Sequence, residues 1–241
     1  MSYKLQYKRY NEYAILIKWP AIIDENILED IIKFKSNIEN NVGKEIVEVI
    51  TAYNSLLIIY KFTIDDVNGE FLRLKKIYLK KVNIKNTNSN HWKIPVCYDE
   101  IFGIDLETFA KEKNISKPEI ITLHTKPVYT VYFIGFLPGF LYLGGLDNQL
   151  FLDRKNTPNL NVKKGSVAIG GKQTGIYPKN SPGGWHVIGN SPIDLFNSNA
   201  NIPCEIKSGD TLKFHSITKI EYDEISEEIA ASNYQLKPVL I

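Results

Sequence analysis

The chain has 241 residues, enough for one large domain or two small ones. With 44% hydrophobic and 23% charged residues it carries apolar material for a core, which excludes disorder along most of its length. A formal net charge of +2 excludes broad electrostatic binding of nucleic acid but leaves room for a local anion site, and two distant cysteines, Cys97 and Cys204, exclude a disulfide scaffold or a cysteine-rich zinc site; no metal is expected.

The opening, MSYKLQYKRYNEY, is polar and lacks a signal-peptide core, so the expected location is the cytoplasm. Tyr13–Trp19 (YAILIKW) reads as a strand stopped by Pro20. Asp24 is placed to cap a helix whose apolar residues Ile27, Leu28, Ile31, Ile32 and Phe34 recur at helical spacing. Glu45–Thr51 alternates, with Ile46, Glu48 and Ile50 on one parity and Val47 and Val49 on the other. After the short link Ala52–Asn54, the run Ser55–Tyr60 is continuously apolar, and the two segments predict a hairpin. Phe71, Leu72, Leu74, Ile77, Tyr78 and Leu79 mark a second helix with a basic face. The order β-α-β-β-α predicts a ferredoxin-like unit if one more strand joins it. The polar, Asn-rich Ile84–His91 reads as a linker, dividing the chain into 1–90 and 91–241.

Lys93–Tyr98 reads as the strand that opens the second part. Asp105 is expected to cap a short helix, and Ser116 with Glu119 forms a capping-box pattern ahead of another, Ile120–His124. The charge-free stretch Val128–Leu146 has a membrane-like length. Its aromatic and β-branched first half and its Gly and Pro predict strand, turn and a second apolar segment, with no membrane span. Short segments separated by Gly/Pro turns continue to about Ile220 and predict a β-barrel or sandwich. Tyr222–Asn233 reads as a closing helix with acidic residues near its start.

Eleven of the 15 glycines fall between Gly135 and Gly189, a density that marks tight turns or backbone close to a ligand. They lie in or beside GFLPGFLYLGGLD (Gly135–Asp147), KKGSVAIGGKQTGIYP (Lys163–Pro178) and SPGGWHVIGNSP (Ser181–Pro192), with RKNTP (Arg154–Pro158) between. None contains a Walker phosphate loop or a Gly-x-Ser-x-Gly elbow. No two of the four histidines have zinc-helix spacing; His91 falls in the linker and His215 on the outer side of a strand. His124, at the end of a capped helix, is either a general acid/base or a donor to a helix-end carbonyl. His186, beside Trp185 in the Gly-Gly-Trp turn, is the lesser candidate. Trp185, Phe136, Phe140 and Tyr142 suit either a pocket floor or a barrel core. Arg154, Lys172, Gln173, Tyr177 and Ser181 supply cations for a carboxylate or phosphate and donors for a carbonyl, the alternative for Arg154 being a surface salt bridge.

HTKPVYTVYFIGFLPGFLYLGGLD, RKNTP, GSVAIGGKQTGIYP and SPGGWHVIGNSP closely resemble the 5-oxoprolinase B-subunit family, also known as allophanate hydrolase subunit 1, which includes the kinase inhibitor KipI. EIVEVITAYNSLLIIY and IPVCYD fit the family's first half. The resemblance implies an α+β fold: an N-terminal ferredoxin-like α/β sandwich and a C-terminal cyclophilin-like β-barrel, similar to part of the carboxyltransferase domain of urea carboxylase. It implies action with partner subunits A and C, coupling ATP hydrolysis to opening of the 5-oxoproline lactam to glutamate, with ATP used at the level of the complex. A KipI-like member would instead bind a sensor histidine kinase and block its autophosphorylation. A carboxyltransferase-like member would handle urea-derived amides beside a biotin-dependent carboxylase.

In the oxoprolinase scheme His124 would move a proton, and Arg154, Lys172 and Gln173 would hold the substrate carboxylate or the phosphorylated oxygen. Tyr177 and Trp185 would shape the pocket, with Phe136, Pro138, Gly139, Tyr142, Ser181, Gly183 and Gly184 completing the lactam site. Asn159 and Asn190 stand where the family frequently has basic residues, and Leu141 where it has a small residue or proline; the two asparagines put the charge of the pocket in question.

Overall fold

The computed structural model describes residues 3–80 and 89–239. Its first strand, β1 (Gln6–Asn11), is hidden in the polar sequence QYKRYN, because an edge strand has little to bury. β1 pairs antiparallel with β2 (Ala14–Lys18), which covers the strand expected over Tyr13–Trp19. Asp24 accepts from the amides of Asn26 (2.9 Å) and Ile27 (3.2 Å) and starts α1 (Glu25–Val42), which buries Ile27, Leu28, Ile31 and Phe34. β3 (Ile46–Thr51) and β4 (Ser55–Tyr60) form the expected hairpin. A register shift between Ile46 and Glu48 breaks the simple alternation, turning Ile46 and Val49 to the core and leaving Val47 exposed. α2 (Val67–Leu79) follows, capped by Asp66.

The sheet order is β1-β2-β4-β3, and residues of both helices share one apolar cluster with Ile15, Ile17, Leu56 and Ile58. The strand that completes the β-α-β-β-α run therefore comes before it in the chain. The chain divides into Met1–Asn88 and Ser89–Ile241. The linker expected over 84–91 lies outside the described residues up to 88. His91, expected in that linker, instead opens β5 (His91–Cys97), half-buried with Nδ1 2.9 Å from the Thr211 hydroxyl.

Two short helices follow β5. α3 (Leu106–Lys113) lacks the expected side-chain cap, since the Asp105 carboxylate turns away to accept the Val187 amide (2.7 Å) and to pair with Lys155 (2.6 Å). α4 (Lys117–Thr125) has its cap, Ser116 accepting from the Glu119 amide. The 128–146 stretch folds as β6 (Tyr129–Ile134), a turn and β7 (Leu141–Gly144). Among the described residues no helix is long and apolar enough to cross a membrane.

The remaining strands are β8 (Asn159–Val162), β9 (Ser166–Gly170), β10 (Gln173–Ile176), β11 (Ser181–Gly183), β12 (His186–Asn190) and β13 (Thr211–Ile217). α5 (Lys219–Ala230) closes the series, starting earlier than expected because Thr218 and Glu221 form a reciprocal capping box. Seven strands make a closed barrel in the order β10-β7-β6-β13-β5-β12-β9, shut by the β9–β10 hairpin; β8 and β11 form a separate ribbon. The fold is α+β, with the barrel interior filled by residues such as Ile94, Val131, Ile169 and Phe214. His215, expected to face outward, is half-buried, and burial followed by nearby Lys93 lowers its pKa.

Among the described barrel pairings, β13 with β5 is the parallel one, running from Thr211 opposite His91 to Ile217 opposite Cys97. Buried Asp210 sits at its start. One carboxylate oxygen accepts from the Asn90 amide (3.0 Å); the other accepts from the Trp92 indole (2.8 Å) and the Lys207 amide (2.9 Å). Asp210→Asn puts a donor where acceptors are needed, and the expected loss is about 2–4 kcal/mol. Urea unfolding followed by tryptophan fluorescence measures it; a loss under about 0.5 kcal/mol would remove the carboxylate from this role.

Candidate functional site

Pro138-Gly139 makes a type II turn: the Phe140 amide donates to Leu137 O (3.0 Å), and Gly139 takes the positive φ of +83° that the third position requires. The turn delivers Phe140 edge-on to Tyr177 (5.2 Å between centroids) and Trp185 (5.5 Å). Trp185 lies against Gly170, where a Cβ would come within 2.6 Å of the indole, and Tyr177 fits against Gly183, where a Cβ would meet its hydroxyl at 2.3 Å. Part of the glycine cluster thus makes room for rings.

The rings wall a cleft of about 260 Å³. Trp185 and Tyr177 are buried, at 4% and 2% exposure, while Phe136 stands at the mouth, 63% exposed and with a positive φ of 63°. Tyr142 packs on Phe140 (4.9 Å). Pro158, Pro182, Gly183 and Gly184 complete the lining, and its one charged side chain is Arg154, whose guanidinium carbon lies 5.7 Å from the centroid of the Trp185 ring. Among the described residues Arg154 has no ion-pair partner, so the salt bridge weighed as its alternative role is absent.

Arg154 is held by its neighbours. Leu152 exchanges two backbone hydrogen bonds with Gly171 (3.1 and 2.7 Å). Asp153 O accepts from His186 Nε2 (2.9 Å), which gives His186 a positioning role. The Lys155 amide donates to Gly184 O (2.8 Å), and the Lys155 ammonium is the partner of Asp105. These anchors leave Arg154 as the free cation of a pinned strap. Burial pushes the Tyr177 phenol up to about 12, with the Trp185 amide and Arg154 pulling the other way. Tyr142 is raised by burial, against Arg154. Both phenols stay neutral donors across the physiological range.

Not every expected residue reaches the cleft. Phe136, Tyr142, Arg154, Tyr177, Gly183, Gly184 and Trp185 line it. Pro138 and Gly139 form the turn behind Phe140, and Ser181 spends its hydroxyl on Pro182 O (3.2 Å). Lys172 and Gln173 belong to the β9–β10 hairpin, a type II′ turn with Gly171 at φ +65°; Lys172 lies over Phe151 (5.8 Å) outside the cleft lining. Pro158 and Pro182 are lining residues that were not singled out, although both fall inside the quoted motifs. Neither asparagine lines the cleft. Asn190 bridges Lys164 O (2.9 Å) and the Tyr222 hydroxyl (2.9 Å), and Asn159 accepts the Asn161 amide (2.9 Å).

His124 is also elsewhere. It is fully buried, stacked on Phe214 (4.6 Å), with Nδ1 2.7 Å from the Tyr98 hydroxyl and Nε2 2.9 Å from the Thr174 hydroxyl. Thr174 donates to Ala168 O (3.1 Å), so it accepts from Nε2–H, and Nδ1 accepts from Tyr98. Both nitrogens are satisfied inside the barrel, which separates His124 from the Arg154 cleft. Burial lowers its pKa to about 3.

The architecture, a four-stranded α/β sandwich followed by a closed barrel, is that of a carboxyltransferase domain. Urea amidolyase of Kluyveromyces lactis superposes with a TM-score of 0.83 over 99% of this chain, at 19% identity; the chain spans only 16% of that protein. The profile described as "Carboxyltransferase domain, subdomain C and D" matches residues 5–206. The chain belongs to the 5-oxoprolinase B-subunit family. It is 33% identical over 238 residues to the 5-oxoprolinase B subunit of Bacillus subtilis, covering 95% of this chain and 99% of that one. It is 42% identical over 171 residues to the Haemophilus influenzae protein of the same name, covering 71% and 79%.

Two outcomes follow. Gly170→Ala must displace the indole, and the expected result is a shifted Trp185 emission with a loss of about 1–3 kcal/mol; an unchanged spectrum and stability would mean the ring does not rest there. For His124, a depressed folded-state pKa means that the unfolded chain binds the proton more readily. The stability it contributes is complete above about pH 6.5 and is lost as pH falls towards about 3, by at most about 1.4 kcal/mol per pH unit. Between pH 6.5 and 5, His124→Gln is expected to flatten the fall in urea midpoint without abolishing it, since His215 contributes with the same sign. A slope identical to wild type would contradict a neutral buried imidazole.

Proposed function

We propose that this chain is the B subunit of an ATP-dependent 5-oxoprolinase, and that its aromatic cleft holds the lactam while partner subunits A and C complete the enzyme. The observation that carries the reading is Arg154, an exposed guanidinium without an ion-pair partner that lies over the indole of a small cleft. At about 260 Å³ the cleft falls below the roughly 300–1,000 Å³ usual for drug-sized ligands, and it suits a five-membered ring with one carboxylate. The guanidinium fork matches that carboxylate, the aromatic walls offer apolar surface to the ring carbons, and the Tyr177 hydroxyl is a donor for its carbonyl. The names of the B. subtilis and H. influenzae relatives support the same substrate and a role as one subunit of several.

The cleft residues do not fit a nucleoside triphosphate, having one cation and no glycine-rich strand-to-helix loop. ATP is therefore assigned to another chain of the assembly, where it would supply activation of the lactam carbonyl. The part of this chain is to bind and orient the ring and to shield it from water. His124 is left out of the proton transfers, since both its nitrogens are engaged within the barrel.

The test is ADP release by the purified three-subunit assembly with and without 5-oxoproline. Arg154→Ala is expected to raise KM for 5-oxoproline by about 10-fold to 100-fold, and Arg154→Lys by less, because the fork is lost while the charge stays. No 5-oxoproline-dependent turnover by the wild-type assembly would overturn the reading, and an unchanged KM in Arg154→Ala would remove the carboxylate from Arg154.

A further inference from the structure

The charge pattern of the cleft distinguishes the lactam from what it becomes. We propose that the cleft selects ring monoanions that carry no ammonium group, so that it retains a cyclic lactam acid and expels the amino acid formed when the ring opens. The inference rests on the reading of the cleft as the lactam site.

Its charge is a single positive one. Among the described residues Arg154 is the only charged side chain in the lining, and the other polar side chains there are the neutral phenols of Tyr142 and Tyr177 and the Trp185 indole. The nearby carboxylate of Asp105 is already held by Lys155 (2.6 Å) and by the Val187 amide (2.7 Å). A carboxylate entering the cleft finds a guanidinium. An ammonium on the carbon next to that carboxylate finds no anion, lies within a few ångströms of the same guanidinium, and gives up its water. Aromatic walls can attract an ammonium, but the Trp185 face is already shared with Arg154. A lactam nitrogen avoids this conflict because it is an uncharged amide.

Hydrolysis reverses the match. In the net reaction a water oxygen joins the carbonyl carbon, the ring C–N bond breaks, and both water protons end on nitrogen. One new carboxylate and one ammonium appear together in a cleft with a single cation. The site therefore binds substrate better than product without any residue that senses ring size.

The test is ligand-observed NMR on the full chain with four probes: 5-oxo-L-proline, cyclopentanecarboxylate, L-proline and L-glutamate. The two ring monoanions are expected to bind at least about tenfold more tightly than L-proline and L-glutamate, and Arg154→Gln should bring the ratio of cyclopentanecarboxylate to L-proline close to one. L-proline binding as tightly as cyclopentanecarboxylate would overturn charge selection while leaving the oxoprolinase reading in place. Absence of binding by every probe would overturn it too, and turnover by the assembly would then judge the proposed function separately. If cyclopentanecarboxylate and 5-oxoproline bind selectively but the assembly does not turn over 5-oxoproline, charge selection stands and the oxoprolinase reading falls.

Discussion

A buried carboxylate with three N–H donors holds the seam on which the barrel depends. Asp210 ties the indole of Trp92 on β5 to the turn before β13, at the place where those two strands begin to run in parallel. Parallel neighbours cannot be joined by a tight turn, so their alignment has to come from contacts distant in sequence. β12 pairs with one side of β5, and β6 pairs with β13. The seam therefore fixes both arcs of the barrel, and with them the hairpin that shuts it.

The cleft is a consequence of that closure together with missing side chains. Gly170 and Gly183 let Trp185 and Tyr177 lie on backbone, and Gly175 does the same for Phe140. Three rings are thereby fixed before any ligand arrives, which spares the ordering cost that flexible walls would impose on binding. The strap carrying Arg154 is fastened to both neighbouring loops, which fixes the backbone from which its exposed side chain reaches over the Trp185 ring.

Much of this was legible in the residues where the chemistry is local. Asp24 and Ser116 cap helices as expected, and Pro138-Gly139 makes a turn. The aromatic and Arg154 parts of the cleft were legible too, because motifs rich in glycine and rings mark close packing. What stayed hidden was decided by tertiary partners. An edge strand such as β1 needs no apolar pattern, and Asp105 gives up its capping role for Val187 and Lys155. His124 looks free at the end of a helix, but the barrel closes over it; Lys172 and Gln173 share a motif with the cleft residues, but a hairpin turn takes them out of its lining.

The long reach of the parallel seam also shapes how the chain is made. Trp92 and its carboxylate partner are separated by 118 positions, and both strands that flank β5, β12 and β13, are encoded far downstream of it. During synthesis β5 emerges as an apolar strand with two open edges and waits for most of the second unit before either edge is covered. The strands and helices of the first unit are all encoded before it. Nascent chains halted between these points would expose an unpaired apolar edge.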